Sequence, residues 1–189
     1  MIDLYAFATP NSIKVLIMLE EIGLDYQLHS VNIRQGKQKL PAFLQLNPNG
    51  KVPVIVDHDS TNTPLVLTES AAILVYLAEK TGLLLPGGPV LRARVFEQLF
   101  LHASGLSPAF GQSGYFLRLA PAPIEHAIQR FSGEAHRLAG LLNQGLADKV
   151  EVRERQGRIL WINGRHFRRF LTENGIHGQF KLVLDDKGQ

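Results

Sequence analysis

Between residues 50 and 82 the apolar positions keep three different rhythms in turn. Val52-Pro53-Val54-Ile55-Val56 is short, continuous and β-branched, the pattern of a buried strand. Across the polar residues 57–63, Leu65-Val66-Leu67 reads as its hairpin partner. Thr68-Glu69-Ser70 then opens a helix with apolar residues at 73, 74, 77 and 78, closed by Gly82. Pro53 departs from the strand pattern, because proline removes a ladder donor and belongs at a strand's start or edge. Two backbone forms fit it. One is an ordinary edge proline before an ordinary capped helix. The other is a cis bond after Val52, which turns the backbone of Val52 outward to pair with a ligand as an added strand. Glu69 and Ser70 would then lie nearby, on a helix N-terminus that favours an anion.

Upstream, the pattern predicts a strand over residues 4–7, then Thr9-Pro10-Asn11-Ser12 and a helix to Ile22 with Gly23 after it. Threonine suits the N-cap and proline the first helical position. Residues 26–33 read as a second strand, parallel to the first across the helical crossover. Residues 34–39 form a basic loop, 41–46 one or two helical turns, and Asn47-Pro48-Asn49-Gly50 a stop. Downstream, 83–89 is a linker. A helix over 90–102 places Val95, Leu99 and Phe100 at core spacing and is kinked or ended by Gly105-Leu106-Ser107-Pro108. Residues 110–119 are aromatic and glycine-rich. Ile124, Ile128, Phe131, Ala135, Leu138 and Leu142 make one stripe on a long helix. Beyond residue 148 the pattern predicts a hairpin of 150–153 with 158–162, a short helix over 165–171 and a strand over 180–184.

Composition changes this picture in two places. The chain has no cysteine, so a disulfide, a thiolate metal site and a cysteine nucleophile are excluded, which fits a cytoplasmic location. The net charge of +3 is confined to one end. Residues 1–148 hold 11 Lys and Arg against 12 Asp and Glu, a net of −1, whereas residues 149–189 hold 9 against 5, a net of +4. No apolar run is long enough for a membrane helix, and the first residues are strand-like rather than a signal peptide.

Thr9-Pro10-Asn11, Asn47-Pro48-Asn49-Gly50-Lys51-Val52-Pro53, and Glu69-Ser70 with Ala72-Ile73-Leu74 and Tyr76-Leu77 carry a resemblance to the glutathione transferase family, over residues 1–146. The likeness is to its bacterial nu-class-like members of the disulfide-bond oxidoreductase type. It implies an α/β thioredoxin-like N-terminal domain (1–83) with a cis Pro53, then an incomplete all-α C-terminal domain (90–147) in which only about two of the usual helices are present. A small basic α+β tail (148–189) follows. Glutathione would be the co-substrate and supply the missing sulfur. The resemblance places its cysteinyl backbone on Val52 beside Pro53, its γ-glutamyl end at Glu69 and Ser70, and its glycyl end at Gln38, with Arg130 as a further contact. Arg130 also reads as a solvated arginine beside a core stripe.

A free thiol has a pKa near 8.5, so its anion needs donors and positive potential, both offered by the first turn after Thr9. By the same resemblance Thr9 and Asn11 would be catalytic, Ser12 less so, and Tyr5 would be a strand residue. Their plain role is capping, which needs only one of them. The reaction would be glutathione-dependent thiol–disulfide exchange or glutathione transfer to a small disulfide or electrophile. The alternative is a glutathione-binding protein with impaired turnover. Members of this family are usually dimers, and a homodimer through helices 90–104 and 124–146 is the expected partner.

Residues 147–189 resemble part of a small bacterial domain of unassigned function, through Ala147-Asp148-Lys149-Val150, Arg168-Arg169-Phe170-Leu171-Thr172 and Gly175-Ile176-His177-Gly178-Gln179-Phe180. His166 and His177 make a poor metal pair without clustered carboxylates. Arg165, Arg168 and Arg169 fit a solvated helix face better than a nucleic-acid surface.

Overall fold

The computed structural model describes residues 1–60 and 63–147, with the strand pieces 150–153, 159–162, 171–172 and 175–176. Internal packing divides the chain into two units, Met1–Pro108 and Ala109–Gln189.

The first unit is built on β1 (Ile2–Ala6), α1 (Pro10–Ile22), β2 (Tyr26–Ser30), α2 (Pro41–Leu46), β3 (Val54–Asp57), β4 (Leu65–Leu67) and α3 (Ser70–Thr81). The sheet runs in the order β2-β1-β3-β4, with β1 parallel to β2 and antiparallel to β3, and β3 antiparallel to β4. This is the expected thioredoxin-like frame. Strand period decides which side chains go where. Ile2, Leu4 and Ala6 of β1 join Val15, Met18, Leu19 and Ile22 of α1, Ile55 of β3, and Ile73, Leu77 and Ala78 of α3 in the larger core. Tyr5 points the other way, against Val31, Phe43 and Val54, where α2 covers the opposite face. Burying each large aliphatic chain here contributes about 1.5–3 kcal/mol.

α1 begins and ends as its punctuation predicts. Thr9 is the N-cap, its hydroxyl accepting from Ser12 N–H, and Gly23 ends the helix at φ 64°. α3 starts differently from expectation. Glu69 occupies the cap position at φ 64°, with no side-chain cap bond from Thr68, Glu69 or Ser70. β2 also stops at Ser30 rather than residue 33, and two 3₁₀ turns, Ile33–Gln35 and Lys37–Lys39, fill the basic loop. The Asn32 side chain accepts from Arg34 N–H, giving the chain a local turn in place of the ladder.

α4 (Pro89–Phe100) follows the linker. Of the two outcomes expected at 105–108, a kink or an end, the helix does not end there. A π-helical turn, Leu101–Leu106, leads straight into α5 (Ser107–Arg118), so α4 and α5 run on as one helical stretch. Pro108 is the second residue of α5, directly after the π turn. Phe100, expected in the core, is 64% exposed.

In the second unit, α5 and α6 (Glu125–Ala147) pack through Phe116 stacked on Phe131 at 5.4 Å and a Ser113–Ser132 hydroxyl bond of 3.0 Å. Ala135 and Leu138 bury the middle of the α6 stripe, while Ile124 and Leu142 at its ends are exposed. β5 (Val150–Arg153) and β6 (Ile159–Ile162) form the predicted antiparallel hairpin, and β7 (Leu171–Thr172) pairs with β8 (Gly175–Ile176). Leu171 is thus a strand residue, not the end of a helix. Residues 165–170, the strand expected over 180–184, and His166 and His177 lie outside the described residues. No helix among the described residues is long and apolar enough to cross a membrane.

Candidate functional site

One end of the first unit gathers the start of α1, the loop before α2, the approach to β3 and the start of α3. The Thr9 hydroxyl accepts from Ser12 N–H at 3.3 Å and donates to the buried Ser12 Oγ at 3.1 Å. The cap therefore occupies both Thr9 and Ser12. Asn11, in the first turn and half-buried, is free of that cap. Its Oδ1 accepts from Ser107 Oγ at 3.1 Å. One turn on, Lys14 Nζ lies 2.6 Å from His102 Nε2. Burial pulls the Lys14 ammonium below its ordinary pKa, and the nearby Glu69 charge works against that. Burial first, and then the Lys14 charge, push His102 below its ordinary value. Held below its ordinary 6.5, the His102 imidazole is neutral at neutral pH and can accept from Lys14 Nζ.

The Val52–Pro53 bond is cis, as the resemblance implies. The β3 ladder begins only at Val54, which faces Tyr5. The N–H and C=O of Val52 have no backbone partner among the described residues. The Asn47 side chain shapes the approach, donating to Lys51 C=O at 2.8 Å and accepting from Asn49 N–H at 3.0 Å. Gly50 closes this turn at φ 63°, and a Cβ there would meet Gln38 C=O at 3.3 Å. A side chain at 50 would push away the loop that carries Gln38. Gln38 Oε1 is buried with no hydrogen-bond partner among the described residues.

Glu69 holds a left-handed backbone that a side chain rarely adopts, costing on the order of 1–3 kcal/mol and fixing the start of α3. Ser70 is the first residue of that twelve-residue helix. Tyr5 is a strand residue, stacked on His29 at 4.6 Å, and burial and then Asp3 raise its hydroxyl above the ordinary value. Arg130 is exposed on α6, in the second unit. Thr9, Asn11, Gln38, Val52, Pro53, Glu69 and Ser70 all belong to the first unit, whereas Arg130 does not. Lys14, His102 and Ser107 are additions that sequence reasoning missed. Asn11 and Lys14 share a helix face by spacing, but nothing local announces partners some 90 residues away. Among the described residues, no group of three or more His, Asp or Glu could hold a metal ion.

Residues 8–80 match the family model for the glutathione S-transferase N-terminal domain, and residues 138–189 match a protein family of unknown function, DUF2835. The disulfide-bond oxidoreductase YfcG of Escherichia coli K12 is 47% identical over 169 residues, covering 88% of this chain and 74% of that protein. That alignment is too long to stop before the second match begins. A glutathione transferase family member from Pseudomonas fluorescens pf-5, solved with two glutathione bound, is 42% identical with a TM-score of 0.75. It covers 78% of this chain and 66% of the solved one. A glutathione transferase from Pseudomonas putida, solved with one glutathione disulfide bound per subunit, is 41% identical with a TM-score of 0.73, covering 77% and 64%. The chain thus spans about two thirds of those solved structures, and it belongs to the glutathione S-transferase family.

Proposed function

We propose that this chain is a glutathione-dependent enzyme of the thiol–disulfide oxidoreductase or transferase type, in which the thiolate of glutathione is the nucleophile. The observation that carries the reading is the Val52 backbone, left out of the sheet ahead of the cis Pro53. It suits an extended peptide: Val52 would pair with the cysteinyl backbone, and the loop that carries Gln38 would meet the glycyl end. Glu69 is exposed, so its carboxylate is available to the α-amino group of the γ-glutamyl end. The Ser70 hydroxyl and the head of α3 suit the α-carboxylate. With no cysteine in the chain, the sulfur arrives with the peptide.

Thr9 and Asn11 are the side chains placed to donate to that sulfur. The cap uses the lone pairs of Thr9 Oγ1, so its single hydrogen can turn from Ser12 Oγ to an anion. In the reaction the thiolate attacks one sulfur of a substrate disulfide. The S–S bond breaks, a mixed disulfide forms, and the other sulfur leaves as a thiolate. A second glutathione then completes the two-electron reduction, giving glutathione disulfide and the second substrate thiol. With an electrophile in place of the disulfide, the same thiolate forms a carbon–sulfur bond. The solved relatives with glutathione or its disulfide bound support this reading. Arg130 enters the ligand set by likeness of sequence alone. A homodimer is part of the proposal, supported by the exposed Val90 and Leu91 of α4. So are the boundaries 1–83, 90–147 and 148–189 and a cytoplasmic site of action.

A second reading has its own observation. Residues 138–189 also match a family of unknown function, which suits a helical domain that does not continue as in the glutathione transferases. That favours a glutathione-binding protein without turnover. Isothermal titration with glutathione beside a disulfide-reduction assay separates the two. Binding with turnover is expected, and Asn11→Ala should slow turnover more than tenfold. Binding without turnover selects the second reading, and no binding sinks both.

A further inference from the structure

Residues five apart on an α-helix differ by about 140° around its axis, so they face different neighbours. His102 and Ser107 are five apart, yet both reach α1, at Lys14 and Asn11. The π-helical turn explains this, because its i to i+5 bonding, Ser107 N–H to His102 C=O, winds the extra residue into one turn. Asn11 and Lys14, three apart, share a face of α1. Two ties therefore run from the π turn and the residue that caps it to one helix face, and the tie from Ser107 falls on Asn11, already assigned to the sulfur.

A carboxamide has a donor end and an acceptor end, and a flip exchanges them. Facing a thiolate, Nδ2 stabilises and Oδ1 repels. The hydroxyl of Ser107 donates to Oδ1, which holds the acceptor end of Asn11 against the π turn. We propose that Ser107 is a positioning residue, fixing the Asn11 carboxamide so that Nδ2 is the group presented to the sulfur of glutathione. The inference rests on the function proposed above, and it concerns a residue outside the ligand set. The titratable groups tied to this face are Lys14 on α1, His102 on the π turn and Glu69 at the head of α3. Ser107→Ala changes none of them.

The test has a ligand-free arm and a ligand-bound arm. In the ¹⁵N-labelled chain without ligand, relaxation of the Asn11 carboxamide should show it ordered in the wild type and in Ser107→Thr, which keeps the hydroxyl. It should be freer in Ser107→Ala. With glutathione bound, thiolate absorbance followed against pH should show the thiol pKa raised by about half a unit to one unit in Ser107→Ala, the worth of one lost hydrogen bond. Turnover efficiency, kcat/KM, should fall about threefold to tenfold and return in Ser107→Thr. Asn11→Asp keeps an acceptor for Ser107 and removes Nδ2, so it should raise the thiol pKa at least as far. An equally ordered carboxamide, or an unchanged thiol pKa, in Ser107→Ala overturns the inference while leaving the proposed function standing. A wild-type chain that leaves the bound thiol at its free pKa defeats the proposed function instead, and the relaxation arm alone then decides whether Ser107 holds Asn11.

Discussion

Asp57 shows how a single residue ties the second half of α3 to the sheet. It ends β3 with its carboxylate fully buried, and it accepts from Tyr76 Oη at 2.6 Å, Lys80 Nζ at 2.7 Å and Asp59 N–H at 2.9 Å. Burial alone would raise its carboxyl, but the bonds from Lys80, Tyr76 and Asp59 outweigh it, leaving the group below its ordinary 3.8. Its stabilisation is therefore complete above about pH 4 and is lost as pH falls through the lower folded value. Tyr76 has the opposite sign. Burial, then the hydrogen bond to Asp57, push its hydroxyl from 10.0 up to about 12. A phenol held protonated by the fold stabilises below pH 10, and that contribution drains away as pH rises towards 12. Tyr76→Phe should thus lower stability by about 1.5–3 kcal/mol at neutral pH, the usual range for a bond to a charged group. Urea unfolding repeated at rising pH should show wild type and variant converging on the alkaline side. A gap that stays constant with pH would mean that the hydroxyl's proton is not held by Asp57.

At the scale of elements, the sequence was most legible where punctuation and periodicity agreed. Thr9, Pro10 and Gly23 bracket α1, and the run Val54-Ile55-Val56 leaves no choice but a buried strand. It misled where punctuation acts against a helix that packing sustains. Gly105 and Pro108 read as a kink or an end, yet the π turn rephases the backbone bonds and the helix runs on past Pro108. Gly111 and Gly114 weaken α5 locally, and Phe116 stacked on Phe131 offsets that at long range. The same turn sets a pH response. His102 is held below its ordinary 6.5 by burial and then by Lys14, so its neutral form belongs to the fold. The contribution is complete above pH 6.5 and disappears as pH falls through the folded value, when the imidazole gains a proton and can no longer accept from Lys14. His102→Gln keeps an acceptor without a titration. Its unfolding midpoint should change less than the wild type's between about pH 5 and 7. Parallel curves would remove His102 from the acid response.

Across the whole molecule, the candidate site was legible as a set of positions but not as a set of bonds. Thr9, Asn11, Gln38, Val52, Glu69 and Ser70 were named from sequence. The cap that ties Thr9 to Ser12 is local and was legible, but that Gln38 Oε1 has no partner among the described residues and that Ser107 hydrogen-bonds Asn11 are facts of three-dimensional pairing that no local pattern encodes. Arg130 is the position for which sequence and structure say least in common, an exposed arginine in the second unit. Ligand linkage gives a way to weigh it. A ligand bound only by the folded chain raises stability by about 2.7 kcal/mol at a hundred times its Kd. That gain should be visible in amide exchange wherever the ligand's contacts lie. With glutathione at that level, protection should rise around α1, residues 36–53 and the start of α3. If Arg130 also takes part, the gain should extend to the α6 turn that carries it, and Arg130→Ala should weaken binding about tenfold, as loss of a charge-assisted bond would. Protection confined to residues 1–108, with an unchanged Kd in Arg130→Ala, would reduce the ligand set to the first unit alone and leave Arg130 a solvated neighbour of Glu134.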